Sequence, residues 1–440
     1  MQPSNYIKIF PYPEKPGYLL LYSTKKAAVI LLPEESLQKM NKGELTPEET
    51  ATLSGLGFLT ADSEKEKQEM LGLMEKANKL RGDAHLIVVM NLDCNLACPY
   101  CFEGSMKAKR YMTPETATAL VKFISETLLP TGKSLKVTFY GGEPLLSGEL
   151  IQDIARRLKK IMEDEGRTFS FFLVTNGTLL TRKMVEKLLP LGLEGAQVTL
   201  DGPKDNHDRT RPFAKGKASS FDKILLNIKE IDGLIKINLN GNFTKENYSQ
   251  FPGLLDLLLR EGITPDKLNM ARFAPVTKSG GEFALPDFKD GCESITEPWL
   301  LEADLFLREE ILKRGFFIPK LAPSLCMIEY ALDMVVNVDG TLYKCPGFIG
   351  WKGLETGNLW EGLTDYRQSH HLDVWKKEEC LNCEYLPLCF GGCRLMKLTR
   401  DGAMDDVDCK RPYLEAVLEK FIRQDMKYRQ TKPPRAEKTP

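Results

Sequence analysis

The chain has 440 residues, with 60 Lys and Arg against 61 Asp and Glu and a formal net charge of −1. That length supports two or three domains and a large buried core, and the balance of charge offers no broad field to nucleic acid or to an anionic membrane. Apolar residues make up 42% of the chain, as in ordinary soluble proteins. No apolar run approaches membrane-spanning length and no basic-then-apolar signal segment is seen, so a cytosolic protein is expected. Eleven cysteines in such a chain point to metal or redox chemistry rather than a disulfide scaffold.

Residues 1–62 read as a small α+β unit. The runs YIKIF, GYLLLY and AAVILL have strand length and are broken by Pro and Gly. LPEESLQKM and LTPEETATLSGLG follow as short helices, the second closing on Gly57. Residues 63–84 are charged, with helical periodicity, and read as a linker helix. From residue 85 strands alternate with helices. HLIVVMN, LKVTFY, FSFFLVTN, GAQVTL, IKINLNG and LNMARFA are the strands, and PETATALVKFISETLL is one of the helices between them. This alternation predicts parallel βαβ units, an α/β fold in the form of a partial (β/α)6 barrel over residues 85–319. Such barrels carry chemistry at the carboxyl ends of their strands. Cys94 follows the first strand, Gly141 and Gly142 the second, Asn176 the third and Asp201 the fourth. Residues 320–412 hold seven cysteines among short turns and read as a metal-stapled module. Residues 413–440 read as a helix and a tail; beyond Lys427 the tail is basic, contains proline and is expected to be disordered.

Cys94, Cys98 and Cys101 stand in NLDCNLACPYCFEG, with CxxxCxxC spacing. Three thiolates this close can hold three irons of a [4Fe–4S] cube, leaving the fourth open to an outside ligand. Zinc is the alternative, but it takes four closed ligands and no fourth is evident nearby. GGEP at the end of the second strand adds two glycines that let backbone approach a ligand closely, and Glu143 as an acceptor for an ammonium.

Together these motifs resemble the radical S-adenosylmethionine (SAM) superfamily across residues 85–300. The resemblance implies that Cys94, Cys98 and Cys101 hold the cluster and that SAM caps its fourth iron. It implies that Tyr100 sits near the adenine and that Gly141, Gly142 and Glu143 meet the methionine amino group. Asn176 and Asp201 would line the SAM pocket, and Arg211 would meet the SAM carboxylate. A reducing partner such as flavodoxin or ferredoxin is implied with them.

The later cysteines run Cys326, Cys345, Cys380-x2-Cys383-x5-Cys389-x3-Cys393 and Cys409. On spacing alone, two structural zinc ions are an equal reading. All seven positions match the SPASM module of peptide-modifying radical SAM enzymes. That resemblance implies an outer auxiliary [4Fe–4S] cluster on Cys380, Cys383, Cys389 and Cys409, and an inner one on Cys326, Cys345 and Cys393. Three clusters are then expected in all. Some relatives carry a further inner ligand where this chain has Lys320, which leaves the inner cluster an open iron. Cys292 is the other candidate, read more readily as a buried free thiol. Sulfatase-maturating relatives carry an acidic base after the equivalent of Cys345; here the residue is Pro346, which cannot take a proton and argues against formylglycine formation.

Residues 1–62 have the size and element order either of a winged-helix unit that grips a leader peptide by strand addition or of a plain extension of the barrel. Within the superfamily the opening segment and the cluster loop look closest to the geopeptide radical SAM maturases. The expected function is SAM-dependent radical modification of a precursor peptide, with thioether crosslinking favoured over simple oxidation. Carbon–carbon crosslinking and epimerisation stay open, and no general base is identified. The rivals are a protein side chain or small metabolite as substrate, and a non-enzymatic zinc-stapled binding protein.

Overall fold

The computed structural model describes every residue except Phe102, 278–290, Glu293 and 430–440. Two units result. One joins Met1–Leu80, Pro319–Tyr330 and the chain from His371 on; the other holds Arg81–Ile318 and Ala331–His370.

The chain opens with β1 (Gln2–Pro3), β2 (Ile7–Pro11), β3 (Tyr18–Ser23) and β4 (Ala28–Pro33), then α1 (Glu34–Lys42), α2 (Pro47–Gly55) and β5 (Leu59–Thr60). β2, β3 and β4 form an antiparallel sheet in that order, and β5 returns to pair with β1. Thr46 starts α2 through a capping box with Glu49, each side chain satisfying a backbone donor of the other. The expected linker helix is two helices, α3 (Ser63–Leu71) and α4 (Leu73–Leu80), with Gly72 between them. Glycine costs about 1 kcal/mol in a helix interior, which makes it a natural break. Nor is α3 free: Glu66 is wholly buried, accepting from Ser4 Oγ at 2.6 Å and the Asn5 N–H at 2.9 Å and pairing with Lys25.

The barrel unit follows as β6 (Asp83–Asn91), α5 (Pro114–Phe123), β7 (Ser134–Gly141), α6 (Gly148–Asp164), β8 (Phe169–Thr175), α7 (Arg182–Leu188), β9 (Leu193–Thr199), α8 (Lys204–Thr210), α9 (Ser220–Glu230), β10 (Lys236–Phe243), α10 (Phe251–Arg260), β11 (Leu268–Pro275) and α11 (Pro298–Lys313). All six expected strands are present, and β6 to β11 are parallel in sequential order. Each helix buries one stripe on the sheet. In α6 it is Ile151, Ile154, Ala155, Leu158 and Met162, the spacing of a single helix face. Leu86, Val88, Phe139, Leu173, Ala196, Val198 and Leu239 form the sheet side of that core.

The sheet does not stop at β6. β12 (Met334–Val336) adds in parallel at Leu86–Val88, and β13 (Leu342–Tyr343) pairs antiparallel with β12. These strands belong to the stretch expected to be purely metal-stapled; they cover an edge that β6 would otherwise expose. A small hairpin of β14 (Gly357–Asn358) and β15 (Gly362–Leu363) comes next.

The last elements are α12 (Glu378–Leu381), α13 (Leu386–Cys389), α14 (Arg394–Asp401) and α15 (Arg411–Arg429). They share cores with the N-terminal strands. Tyr6, Met70 and Met74 pack with Trp375, Leu381, Leu386 and Phe390, while Leu20 and Tyr22 pack with Tyr385, Leu388, Leu414, Leu418 and Ile422. The N-terminal strands and helices also bury a core of their own, from Leu21, Leu32, Met40, Leu53, Phe58 and Leu59, and the cysteine-rich end covers the rest of their apolar surface. Among the described residues no helix is long and apolar enough to cross a membrane. The disordered tail expected beyond Lys427 begins later, since α15 runs on to Arg429; the rest, from Gln430, lies outside the described residues.

Tyr6 is fully buried and donates its hydroxyl to the Leu381 carbonyl at 2.8 Å. Replacing Tyr6 with Phe removes that donor in the core, and a loss of about 1–3 kcal/mol is expected in urea unfolding of this unit. Ile9→Ser, at a position 41% exposed, is the control and is expected to shift stability by under about 0.5 kcal/mol.

Candidate active site

The site is built where β6 and β7 end. Gly142 donates to the Asn91 carbonyl at 3.1 Å and Glu143 to the Asp93 carbonyl at 2.8 Å. A Cβ on Gly141, whose φ is +136°, would lie 2.3 Å from Asn91 O; one on Gly142 would lie 2.2 Å from Asp93 O. The expectation was that these glycines let backbone approach a ligand. In the structure the close approach is to the backbone leading into Cys94, so the glycines seat the cysteine loop against the second strand.

The loop is held on its other side as well. Ala97 donates to the Pro212 carbonyl at 2.8 Å and Ala214 to the Asn95 carbonyl at 2.9 Å, which ties it to the segment after α8. Asp93 accepts the Cys94 N–H at 2.9 Å. The Cys94 sulfur faces the Leu96 N–H at 3.4 Å and Asn176 Nδ2 at 3.7 Å. Asn176 also donates to Asn95 Oδ1 at 2.8 Å.

Glu143 is wholly buried. Its carboxylate accepts the Leu145 N–H at 3.0 Å, the Asn176 N–H at 2.8 Å and the Thr175 hydroxyl at 2.8 and 2.9 Å to its two oxygens. Burial pushes this carboxyl above the usual range, while the hydrogen bonds from Asn176, Thr175 and Leu145 oppose the rise.

Tyr100, Asp201 and Arg211 meet in one buried network. Asp201 accepts the Tyr100 hydroxyl on one oxygen, and on the other the Asn242 N–H at 2.7 Å. Arg211 donates to the Tyr100 oxygen at 2.7 Å and lies 3.9 Å from Asp201. Burial raises both Asp201 and Tyr100, most strongly the phenol. Arg211 Nε is buried and has no hydrogen-bond partner among the described residues. Asn242 and Asn95 were not singled out from the sequence. Asn242 had a signal: Asn238, Asn240 and Asn242 alternate with apolar residues on β10, whereas a parallel strand covered on both faces is normally apolar throughout.

The three cysteines of this loop are free and half-buried. Burial pushes the Cys101 thiol to about 11, with Glu103 and Cys98 adding to the rise, and raises Cys94, with Cys98 again contributing. A coordinating thiol is deprotonated by its metal, so three thiols on one loop, with N–H donors aimed at Cys94, fit a bound iron–sulfur cube. Among the described residues no three His, Cys, Asp or Glu side chains converge on a single-ion site; a cube instead takes its thiolates at separate corners.

The later cysteines divide between the units. Cys345 belongs to the barrel unit, and Cys326, Cys380, Cys383, Cys389, Cys393 and Cys409 to the other. Burial raises the Cys380 and Cys383 thiols, and Cys389 adds to the rise at both. At Gly392, φ is +76° and a Cβ would stand 1.9 Å from the Asp408 carbonyl. Asp408 donates to the Gly391 carbonyl at 2.9 Å and accepts the Cys393 N–H at 3.3 Å. That turn brings the residue before Cys409 onto the Cys389–Cys393 loop. Cys326 is raised by burial, with a smaller contribution from Cys393. Cys292 is 1% exposed, with its N–H on the Val276 carbonyl.

Residues 88–258 match the Radical SAM superfamily, so the centre of the chain carries a domain of that family. The PqqA peptide cyclase of Granulibacter bethesdensis is 23% identical over 73% of this chain and 85% of its own length. The Fe-coproporphyrin III synthase of Methanosarcina barkeri is 29% identical, over 41% of this chain and 43% of its own. The crystal structure of Streptococcus suis SuiB bound to precursor peptide SuiA shares the fold at a TM-score of 0.52 and 16% identity, covering 93% of this chain and 98% of SuiB.

Gly142→Ala sets a methyl group against backbone that cannot move aside, so the cysteine loop must shift. Anaerobically reconstituted Gly142→Ala protein is expected to retain about four fewer irons than the parent and to lose SAM binding by equilibrium dialysis. Unchanged iron and SAM binding would show that the seam does not position the loop.

Proposed function

We propose that the chain is a radical SAM peptide maturase acting on a ribosomally made precursor peptide. The observation that carries this is the second cysteine constellation, in which Gly392 folds the segment bearing Cys409 onto the loop of Cys389 and Cys393. The match to a peptide cyclase supports it, since that match covers a larger share of the chain than the barrel unit does. The small-metabolite reading has the shorter match.

Cys94, Cys98 and Cys101 would hold a [4Fe–4S] cluster, which when bound would supply the electron for reductive cleavage of SAM and so the means to take a hydrogen atom from a peptide carbon. The chain's own groups prepare the site. Asn176 and the Leu96 N–H orient Cys94. Glu143 accepts hydrogen bonds from Leu145, Thr175 and Asn176, which fix its carboxylate as an acceptor for the SAM ammonium. Arg211 Nε is the open donor for the SAM carboxylate. The hydroxyl of Tyr100 is held by Asp201 and Arg211, so its ring is fixed as a wall beside the third cysteine. A buried wall of this kind excludes water from reactive intermediates.

Cys380, Cys383, Cys389 and Cys409 are proposed to hold an auxiliary [4Fe–4S] cluster, and three clusters in all are part of this reading. Pro346 after Cys345 disfavours formylglycine formation, and sulfur-to-carbon crosslinking fits best. The N-terminal sheet is the proposed leader seat. β4 is one of its two edge strands, and a cavity of 360 Å³ is lined by Val29 and Leu31 of that strand and by Leu321, Phe421, Ile422 and Met426 among others. An edge strand above apolar pockets suits an extended peptide.

Cys389→Ala tests the proposal. It is expected to keep basal 5′-deoxyadenosine formation but to yield no modified peptide by mass spectrometry, with a precursor peptide that the parent protein modifies as the substrate. Normal product would make the cysteine-rich end structural and overturn the auxiliary-cluster role.

A further inference from the structure

A basic strap crosses the surface beside the cysteine loop. Residues 107–112 read KAKRYM, with Lys107, Lys109 and Arg110 and no acid. The strap runs against the end of β6: Leu92 donates to the Arg110 carbonyl at 2.9 Å, Ala108 to the Leu92 carbonyl at 3.2 Å, and Met112 to the Met90 carbonyl at 2.9 Å. Lys107 reaches inward to the Leu96 carbonyl, within the cysteine loop, at 3.1 Å. Lys109 and Arg110 are exposed. Among the described residues Lys109 makes no ion pair, and Arg110 has only a long, exposed one to Asp339 at 3.5 Å, a kind that contributes little.

The strap ends in an aromatic ring. Tyr111 is 42% exposed, as is Leu146 at 38%. Both line an open groove of 760 Å³ that also carries Glu149, Asp153 and Lys187. Tyr111 donates its hydroxyl to Asp93 Oδ2 at 2.5 Å, and the other oxygen of Asp93 accepts the Cys94 N–H at 2.9 Å. Two hydrogen bonds through a single carboxylate thus join a solvent-facing ring to the first cysteine of the cluster loop.

We propose that this face, Lys107 to Tyr111 with Leu146, docks a small acidic protein that carries one electron at a time. The carrier is oxidised by one electron and the cluster is reduced by one, with no bond made or broken and no proton moved. The inference rests on the radical SAM reading and adds where the electron enters. Cations steer an acidic partner to the face, and the exposed ring and Leu146 supply a desolvated centre. A basic strip with no partner would be a solvated surface; the line from Tyr111 through Asp93 to Cys94 is what distinguishes this one.

The test uses reconstituted holoenzyme and flavodoxin as the probe. The double variant Lys109→Glu, Arg110→Glu is expected to raise the flavodoxin Kd at least tenfold at low salt by calorimetry, and to flatten its dependence on ionic strength. SAM cleavage driven by dithionite, which needs no docking, should stay within twofold of the parent. Leu146→Ser should weaken flavodoxin binding several-fold, again sparing dithionite-driven cleavage. An unchanged Kd in both variants would overturn the proposal. So would an equal loss with dithionite, which would make the strap a support of the cluster loop, or weakened binding of the precursor peptide in place of flavodoxin. Absence of dithionite-driven cleavage in the parent protein would instead count against the radical SAM reading.

Discussion

The structure depends on one close approach. At the ends of β6 and β7, Gly141 and Gly142 lie so near the backbone of Asn91 and Asp93 that any side chain on them would collide with a carbonyl. Two backbone hydrogen bonds close the seam. A parallel sheet fixes its strands along their length but leaves their ends to loops, which carry function because a scaffold positions them. Here the seam extends the precision of the sheet into the loop that carries Cys94, Cys98 and Cys101. Glu143, the next residue, is placed by the same seam and in turn gathers Thr175 and Asn176 from the end of β8.

A second layer of order comes from buried polar contacts. Asp201, Tyr100, Arg211 and Asn242 bond to one another and leave Arg211 Nε as an open donor. Networks of this sort rigidify what they touch. This one joins the residue before Cys101 to the ends of β9 and β10. The cysteine loop is therefore held from β7, from β8 and from the segment after α8, as well as by its own strand.

Much of this was legible in the sequence because it is periodic or sharply spaced. Six apolar runs between helical patterns placed β6 to β11 to within two residues, and the CxxxCxxC and GGEP motifs marked two strand ends that the fold brings together. What was not legible involved long-range pairing. Met334–Val336 is too short to announce itself as a strand, yet it extends the sheet because β6 offers an open edge. The N-terminal strands looked like a separate unit, whereas Tyr6, Leu20 and Tyr22 complete cores around Trp375 and Tyr385. No local pattern specifies a partner more than 300 residues away. Asn242 shows the intermediate case: its alternation was visible, but its bond to Asp201 needed the neighbouring strand.

The most direct measurement is iron, acid-labile sulfide and zinc per chain after anaerobic reconstitution, for the parent protein and for the variant with Cys94, Cys98 and Cys101 all changed to Ala. The account predicts roughly twelve irons with matching sulfide in the parent and about four fewer of each in the variant, with 5′-deoxyadenosine formation abolished. Zinc without sulfide in the parent, or 5′-deoxyadenosine formation that survives loss of the three cysteines, would contradict it.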